Sequence, residues 1–299
     1  MNYHQPVLLK ECLEGLNIKP DAVIVDVTFG GGGHSKAILA KLSAKGKLFA
    51  FDQDKDAAKN VPDDKRLTFV PQNFSYMKNF LRMYEAPQVD GILADLGVSS
   101  HQFDEAERGF SIRFDASLDM RMNQGGEKTA AKILNEYEEN KLKQIFREYG
   151  EVDNAGRLVK LITDARLLTQ ITSTGQLKEI ITPCIPRFKE HQYLAKVFQA
   201  LRIEVNDEME VLKQMLQQSL EVLKPGGRLV VMSYHSLEDR LVKNFMKSGN
   251  SEGEQQKDFY GNIHRPFNII TKKPITPSDA ENAENSRARS AKLRIAEKV

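Results

Sequence analysis

Residues 24–54, IVDVTFGGGGHSKAILAKLSAKGKLFAFDQD, decide how this chain is read. Ile24, Val25 and Val27 form an apolar, β-branched run that predicts a first strand. Gly30, Gly31, Gly32 and Gly33 follow, and then Ile38, Leu39 and Leu42 at helical spacing. Gly46 closes that helix, and a second apolar run, Leu48 to Phe51, ends at Asp52. A glycine loop after a first strand lets the backbone approach a ligand closely. An acid about 20 residues further on, at the end of the second strand, suits the diol of a ribose. The unit therefore predicts a Rossmann-like site for a cofactor that carries adenosine.

Two cofactor classes fit that description. A dinucleotide fingerprint needs G-x-G-x-x-G. Counting from Gly30 puts Ser35 at the last position, and counting from Gly31 puts Lys36 there, so neither register supplies the third glycine. Asp26 closes the first strand, where an acid repels a pyrophosphate but can hold the ammonium group of a methionine moiety. Acid, glycine loop and second acid form the pattern of S-adenosylmethionine binders.

The chain has 299 residues, 40% hydrophobic and 28% charged, enough for a full core and for two domains. Residues 1–10 show neither a basic nor an apolar leader region, and no apolar run reaches membrane-spanning length. The expectation is a cytoplasmic protein without a membrane segment. Cys12 and Cys184 lack metal-ligand spacing and read as buried free thiols, so no metal is expected. A net charge of +2 neither demands nor excludes a polyanionic partner.

Further strands are expected at residues 67–70 and 89–96, the second ending near Asp95. Residues 101–126 read as loop. From Thr129 to about Arg202 the pattern is helical, with Asp153 and Thr174 as candidate caps and Gly150 and Pro183 as stops. A helical block between two strands of an α/β sheet is an inserted domain. The boundaries follow as 1–105 and 206–299 for the sheet domain and 106–205 for the insert. Residues 209–223 predict a helix, KPGG at 224–227 a turn, and RLVVMSY at 228–234 a buried strand, an order common in S-adenosylmethionine-dependent methyltransferases. A helix over 237–247, a loop over 248–257 and a last strand over 291–299 complete the chain.

Several side chains fall at the expected crevice. Asp95 either caps a turn or contacts cofactor and a target amine. Its neighbours Leu96, Gly97, Val98, Ser99 and Ser100 lack the two prolines and aromatic residue that often follow this acid in amino-methyltransferases. Phe74, after the third strand, either stacks on adenine or fills core. His34 either turns its imidazole or backbone N–H to the ligand or simply begins a helix. His235, after the fifth strand, is either near the reaction or structural. His4 has weaker support. Arg108, Arg113 and Arg121 cluster in the loop region that precedes the helices of the insert. Arg157, Arg166, Arg187, Lys189 and Lys196 are scattered through it, and together these cations could track phosphates.

Longer strings carry a resemblance. YHQPVLL from Tyr3, TFGGGGHS from Thr28, DLGVSSHQFD from Asp95, ERGFS from Glu107 and LDMRM from Leu118 stand in order. KVFQALRIEVN from Lys196, LKPGGRL from Leu223, SYHSLEDRLVK from Ser233 and RARSAKLRIAE from Arg287 follow. In these the chain resembles the bacterial ribosomal small-subunit RNA methyltransferase H family, also called MraW. The resemblance implies an α/β, Rossmann-like methyltransferase sheet with an inserted all-helical substrate-recognition domain. It implies S-adenosylmethionine-dependent methylation of the N4 amine of a cytidine in the decoding region of 16S rRNA, within the small ribosomal subunit. It carries cofactor contacts onto Gly32, Gly33, His34, Asp52, Phe74, Asp95 and Gln102. Asp95 is the expected amine acceptor, and His235 is expected to orient the base or relay the proton. Val27 and Ser286 stand where glycine and proline are usual in the family. A homodimer stays open.

Overall fold

The computed structural model describes residues 6–255, 257, 259–263 and 265–299. His4 and the start of the YHQPVLL string lie outside them. The chain divides into two compact units, one of residues 1–97 with 210–299 and one of residues 98–209. The sequence reading set these junctions at 105/106 and 205/206.

The first unit is a seven-stranded sheet in the order β3-β2-β1-β4-β5-β7-β6. β1 (Val23–Asp26), β2 (Lys47–Phe51), β3 (Leu67–Val70), β4 (Val89–Asp95) and β5 (Leu223–Ser233) pair in parallel. β7 (Lys292–Lys298) pairs antiparallel with β5 and with the short β6 (Phe267–Ile269). The inner parallel strands are buried on both faces, which explains their unbroken apolar runs. Ile24, Val25, Ile92, Leu93, Val230 and Val231 are all inaccessible to solvent. From β1 the chain winds to β2 and β3 on one side and later to β4 and β5 on the other. The crevice at the carboxyl ends of β1 and β4 is thus the switch point where doubly wound sheets bind ligands.

Not every helix of this unit has a clear sequence signal. α1 (Leu9–Leu16) lies against β5 and β7, and an added Cβ at Gly15 would stand 2.7 Å from Ile295 Cδ1. Glycine there admits the helix to the sheet. α2 (Gly33–Leu39) follows the glycine loop, and α3 (Met77–Met83) follows β3. The KPGG turn interrupts the pairing of β4 with β5, which passes from Val89 opposite Leu223 to Gly91 opposite Arg228. Gly226 takes φ +79° within it, a value that favours glycine.

The second unit is helical. α4 (Ser100–Asp104) stands where the sequence reads as loop; α5 (Ala130–Glu136), α6 (Glu139–Glu148), α7 (Ala155–Arg166), α8 (Thr174–Ile181) and α9 (Glu190–Asn206) follow. They enclose a core that includes Leu142, Phe146, Leu158, Ile162, Leu177, Val197 and Leu201. The caps sit one residue from those expected. α7 begins after Asn154, not Asp153. Ser173 rather than Thr174 caps α8, in a capping box with Gln176. Thr174 instead donates its hydroxyl to the Phe114 carbonyl. Gly150 keeps an ordinary φ, and its need is space, since a Cβ there would meet the Lys196 carbonyl oxygen at 2.8 Å.

α10 (Glu208–Val222) leads back to the sheet and α11 (Ser236–Ser248) leaves it; α12 (Asp279–Glu284) precedes β7. Cys12 and Cys184 are free and buried, as the sequence predicts. No helix among the described residues is long and apolar enough to cross a membrane.

Candidate active site

Three carboxylates mark the carboxyl ends of neighbouring strands: Asp26 on β1, Asp52 after β2 and Asp95 on β4. Among the described residues, no lysine or arginine pairs with any of them. Each is held by neutral donors. Asp26 is 1% exposed; its Oδ1 accepts the Thr28 N–H at 3.1 Å and its Oδ2 the Ser35 hydroxyl at 2.7 Å. It therefore binds the entrance of the loop to the first turn of α2. Burial raises its carboxyl above the usual carboxylate range, against the hydrogen bonds of Ser35 and Thr28.

Asp52 secures the other side of the loop. Its Oδ2 accepts the Gly30 N–H and its Oδ1 the Asp54 N–H, both at 2.8 Å. Gly32 has φ +73°, and a Cβ there would stand 2.8 Å from Phe29 Cζ, so both its conformation and its surroundings require glycine. Asn60 Nδ2 donates to the Gly30 carbonyl at 3.1 Å and closes the loop from outside. Burial pushes the Asp52 carboxyl up to about 6 despite its two N–H donors. The chain before Phe74 is tied in as well, because Asn73 Nδ2 donates to Gln53 Oε1 at 2.9 Å. Phe74 is half-buried at the start of a short turn.

Asp95 joins four segments. Its backbone N–H donates to Thr28 Oγ1 at 2.7 Å. Its Oδ1 accepts the Tyr234 hydroxyl at 2.8 Å. Its Oδ2 lies 3.9 Å from His34 Nδ1. Burial pushes Asp95 up to about 6, with His34 and the Tyr234 hydrogen bond opposing. His34 Nε2 sits 3.2 Å from the Val7 carbonyl oxygen. A carbonyl only accepts, so Nε2 carries the hydrogen and Nδ1 of the neutral ring presents a lone pair to Asp95. Burial lowers the His34 pKa, and the charge of Asp95 opposes it.

Unneutralised acids in a crevice suit a cation. S-adenosylmethionine carries a sulfonium and an ammonium, whereas a dinucleotide carries a pyrophosphate that these acids would repel. The residues present therefore fit the former.

A profile of the MraW methylase family matches residues 1–299. The chain belongs to this family. The ribosomal RNA small subunit methyltransferases H of Parabacteroides distasonis and of Flavobacterium johnsoniae are each 57% identical to it. The first aligns over 99% of this chain and 98% of its own length, the second over 100% and 99%. The Flavobacterium psychrophilum protein of the same name is 59% identical over 97% of this chain and its own full length. With the MraW methylase family come the Rossmann-like fold class read from the sequence and S-adenosylmethionine as cofactor.

Of the residues singled out from the sequence, Gly32, Gly33, His34, Asp52, Phe74, Asp95 and His235 all belong to the sheet unit. Gln102 belongs to the helical unit, buried, where its Oε1 accepts the Ser99 N–H at 3.1 Å in the capping box of α4. His235 caps α11. Its Nδ1 accepts the Glu238 N–H at 3.4 Å, and its Nε2 lies 3.2 Å from Glu238 Oε1. The ring expected to relay a proton is thus turned onto its own helix.

The arginine cluster is also largely turned inward. Arg108 is 6% exposed and donates to the carbonyls of Arg121 and Met122. Arg121 forks onto Asp119, and Arg166 serves the carbonyls of Leu134 and Tyr137. Arg113, Arg157, Arg187 and Lys189 remain exposed. Tyr234, Thr28 and Val7 escaped the sequence reading because only the folded chain brings them to Asp95 and His34, Tyr234 and Thr28 through the ends of β5 and β1, and Val7 through the approach of its segment to α2.

Proposed function

We propose that this protein transfers the methyl group of S-adenosylmethionine to the N4 amine of a cytidine in the decoding region of 16S rRNA, with the small ribosomal subunit as substrate. The names of its relatives support the RNA class. The observation that carries the chemistry is Asp95, a strand-end carboxylate with one oxygen engaged and the other without a protein donor among the described residues.

The cofactor supplies an electrophilic methyl group on a sulfonium. Asp52 takes the ribose hydroxyls on the lone pairs its two N–H donors leave open. Gly32 and Gly33 bring backbone close to the ligand. Phe74 lies against the adenine. The cytosine N4 lone pair is delocalised into the ring, so the amine is a poor nucleophile. Asp95 accepts one N4 hydrogen, fixes the amine in line with the methyl group and favours its pyramidal form. His235 enters as a positioning residue, since Glu238, which it holds, accepts the Tyr234 N–H at 2.9 Å.

A target base must leave its stack to be reached, and unpaired RNA is read on splayed bases. The helical unit holds the RNA in this proposal. Its exposed cations Arg113, Arg157, Arg187 and Lys189 meet phosphates, and Phe188, 104% exposed between the last two, offers a stacking face. Small subunits lacking the modification, incubated with methyl-labelled S-adenosylmethionine and digested to nucleosides, test the reading. Label in N4-methylcytidine is expected. Label confined to another nucleoside, or none, overturns it.

A further inference from the structure

Asp95 is held asymmetrically. Oδ1 receives the Tyr234 hydroxyl at 2.8 Å. Oδ2 faces His34 Nδ1 at 3.9 Å, and the Val7 carbonyl fixes that ring so that Nδ1 offers a lone pair rather than a hydrogen. No described residue donates to Oδ2, yet the Asp95 side chain remains 25% exposed. A carboxylate oxygen in that condition lacks a hydrogen-bond donor and can be reached by one. Tyr234 itself is firmly placed. Its N–H donates to Glu238 Oε2 at 2.9 Å, within the capping box of α11. Its ring packs beside Gly97, where a Cβ would lie 3.6 Å from Tyr234 Cδ2.

We propose that Tyr234 is a positioning residue for methyl transfer: it pins Oδ1 of Asp95, so that Oδ2, on the His34 side, receives the hydrogen of the target amine. The inference rests on the reading of Asp95 as the amine acceptor. As the N4–methyl bond forms, the methyl–sulfur bond breaks and sulfur keeps its electron pair. The N4–H bond then gives its proton to Oδ2, and its electron pair returns to nitrogen. Without the tyrosine hydroxyl the carboxylate can rotate, and Oδ1 and Oδ2 compete for the amine in poorer geometry.

The test is Tyr234→Phe, which removes one oxygen and keeps the ring. Wild-type protein is first shown to form N4-methylcytidine in small subunits; failure there sinks the functional reading and not this inference. Single-turnover methylation at saturating S-adenosylmethionine is then measured across pH, with cofactor affinity measured alongside. At about pH 8, where Asp95 is ionised with or without the tyrosine hydroxyl, the variant should bind S-adenosylmethionine as the wild type does and turn over about ten- to a hundredfold more slowly, the loss of one hydrogen bond to a charged group. Its acidic limb should move to higher pH, because a donor that favours the ionised carboxylate is gone. The other groups acting on Asp95, namely His34, Asp26, Glu238 and Cys12, are unchanged in the variant. A wild-type rate, a slow variant with an unmoved limb, or a loss of cofactor affinity at about pH 8 would each overturn the proposal.

Discussion

Replacing Asp52 by alanine tests the proposed cofactor site. In the cofactor-free protein the carboxylate already accepts the N–H groups of Gly30 and Asp54, each at 2.8 Å. Each oxygen keeps a further lone pair, one for each ribose hydroxyl. A hydrogen bond to a charged group contributes about 1.5–3 kcal/mol, so losing the ribose contacts should weaken binding on the order of ten- to a hundredfold. Alanine also leaves the Gly30 and Asp54 N–H groups without their acceptor, which loosens the loop and costs roughly 1–3 kcal/mol of stability. Asp52→Asn loses the charge and keeps an acceptor oxygen for only one of the two loop N–H groups. Isothermal titration with S-adenosylmethionine should therefore rank wild type above Asp52→Asn, and Asp52→Asn above Asp52→Ala, with thermal unfolding placing the variants in the same order. An Asp52→Ala affinity within twofold of wild type would refute the assignment.

Further outcomes follow from the same geometry. Burial raises Asp52 and Asp95 to about 6 from an unfolded value near 3.8, so the cofactor-free fold binds protons more readily than the unfolded chain. These two groups therefore make the cofactor-free protein less stable as pH rises from about 4 to 6. Binding of the cationic cofactor needs them ionised, so its stabilisation of the fold, read as a thermal shift, should shrink as pH falls through 6; a shift constant from pH 5 to 8 contradicts this. Gly32→Ala places a Cβ 2.8 Å from Phe29 at φ +73°, and titration should show cofactor affinity falling at least tenfold. Cross-linking of protein to small subunits should map to residues 98–209, with Phe188→Ala weakening subunit binding and sparing cofactor binding; cross-links confined to the sheet unit would count against it.

The parallel sheet was legible because strands buried on both faces must be apolar throughout. Residues 89–95 could be read directly for that reason, and the glycine loop because Gly30 and Gly32 take positive φ. α1 was missed: Leu8 enters it at φ +49°, and Gly15, which reads as a helix breaker, is a contact point with β7. Caps slipped by one residue at Asn154 and Ser173, since composition cannot say which of two adjacent polar side chains turns to the backbone. Asp52 and Asp95 were visible as strand-end acids. The Tyr234, Thr28 and Val7 contacts were not, because they depend on pairing between segments remote in sequence. Arg108 and Arg121 look like a surface patch in the sequence, yet carbonyls and Asp119 claim them in the structure.

The most direct test of the account is single-turnover methylation by Asp95 variants at saturating S-adenosylmethionine, on small subunits lacking the modification. Saturation removes any contribution of Asp95 to cofactor binding, so the rate reports only the methyl-transfer step. Asp95→Asn keeps an acceptor oxygen and removes the charge, and should retain part of the rate. Asp95→Ala removes both, and should lose several kcal/mol of barrier lowering, on the order of a hundredfold or more in rate. An Asp95→Ala protein that transfers its methyl group at the wild-type rate would make Asp95 a cofactor ligand alone and contradict the account.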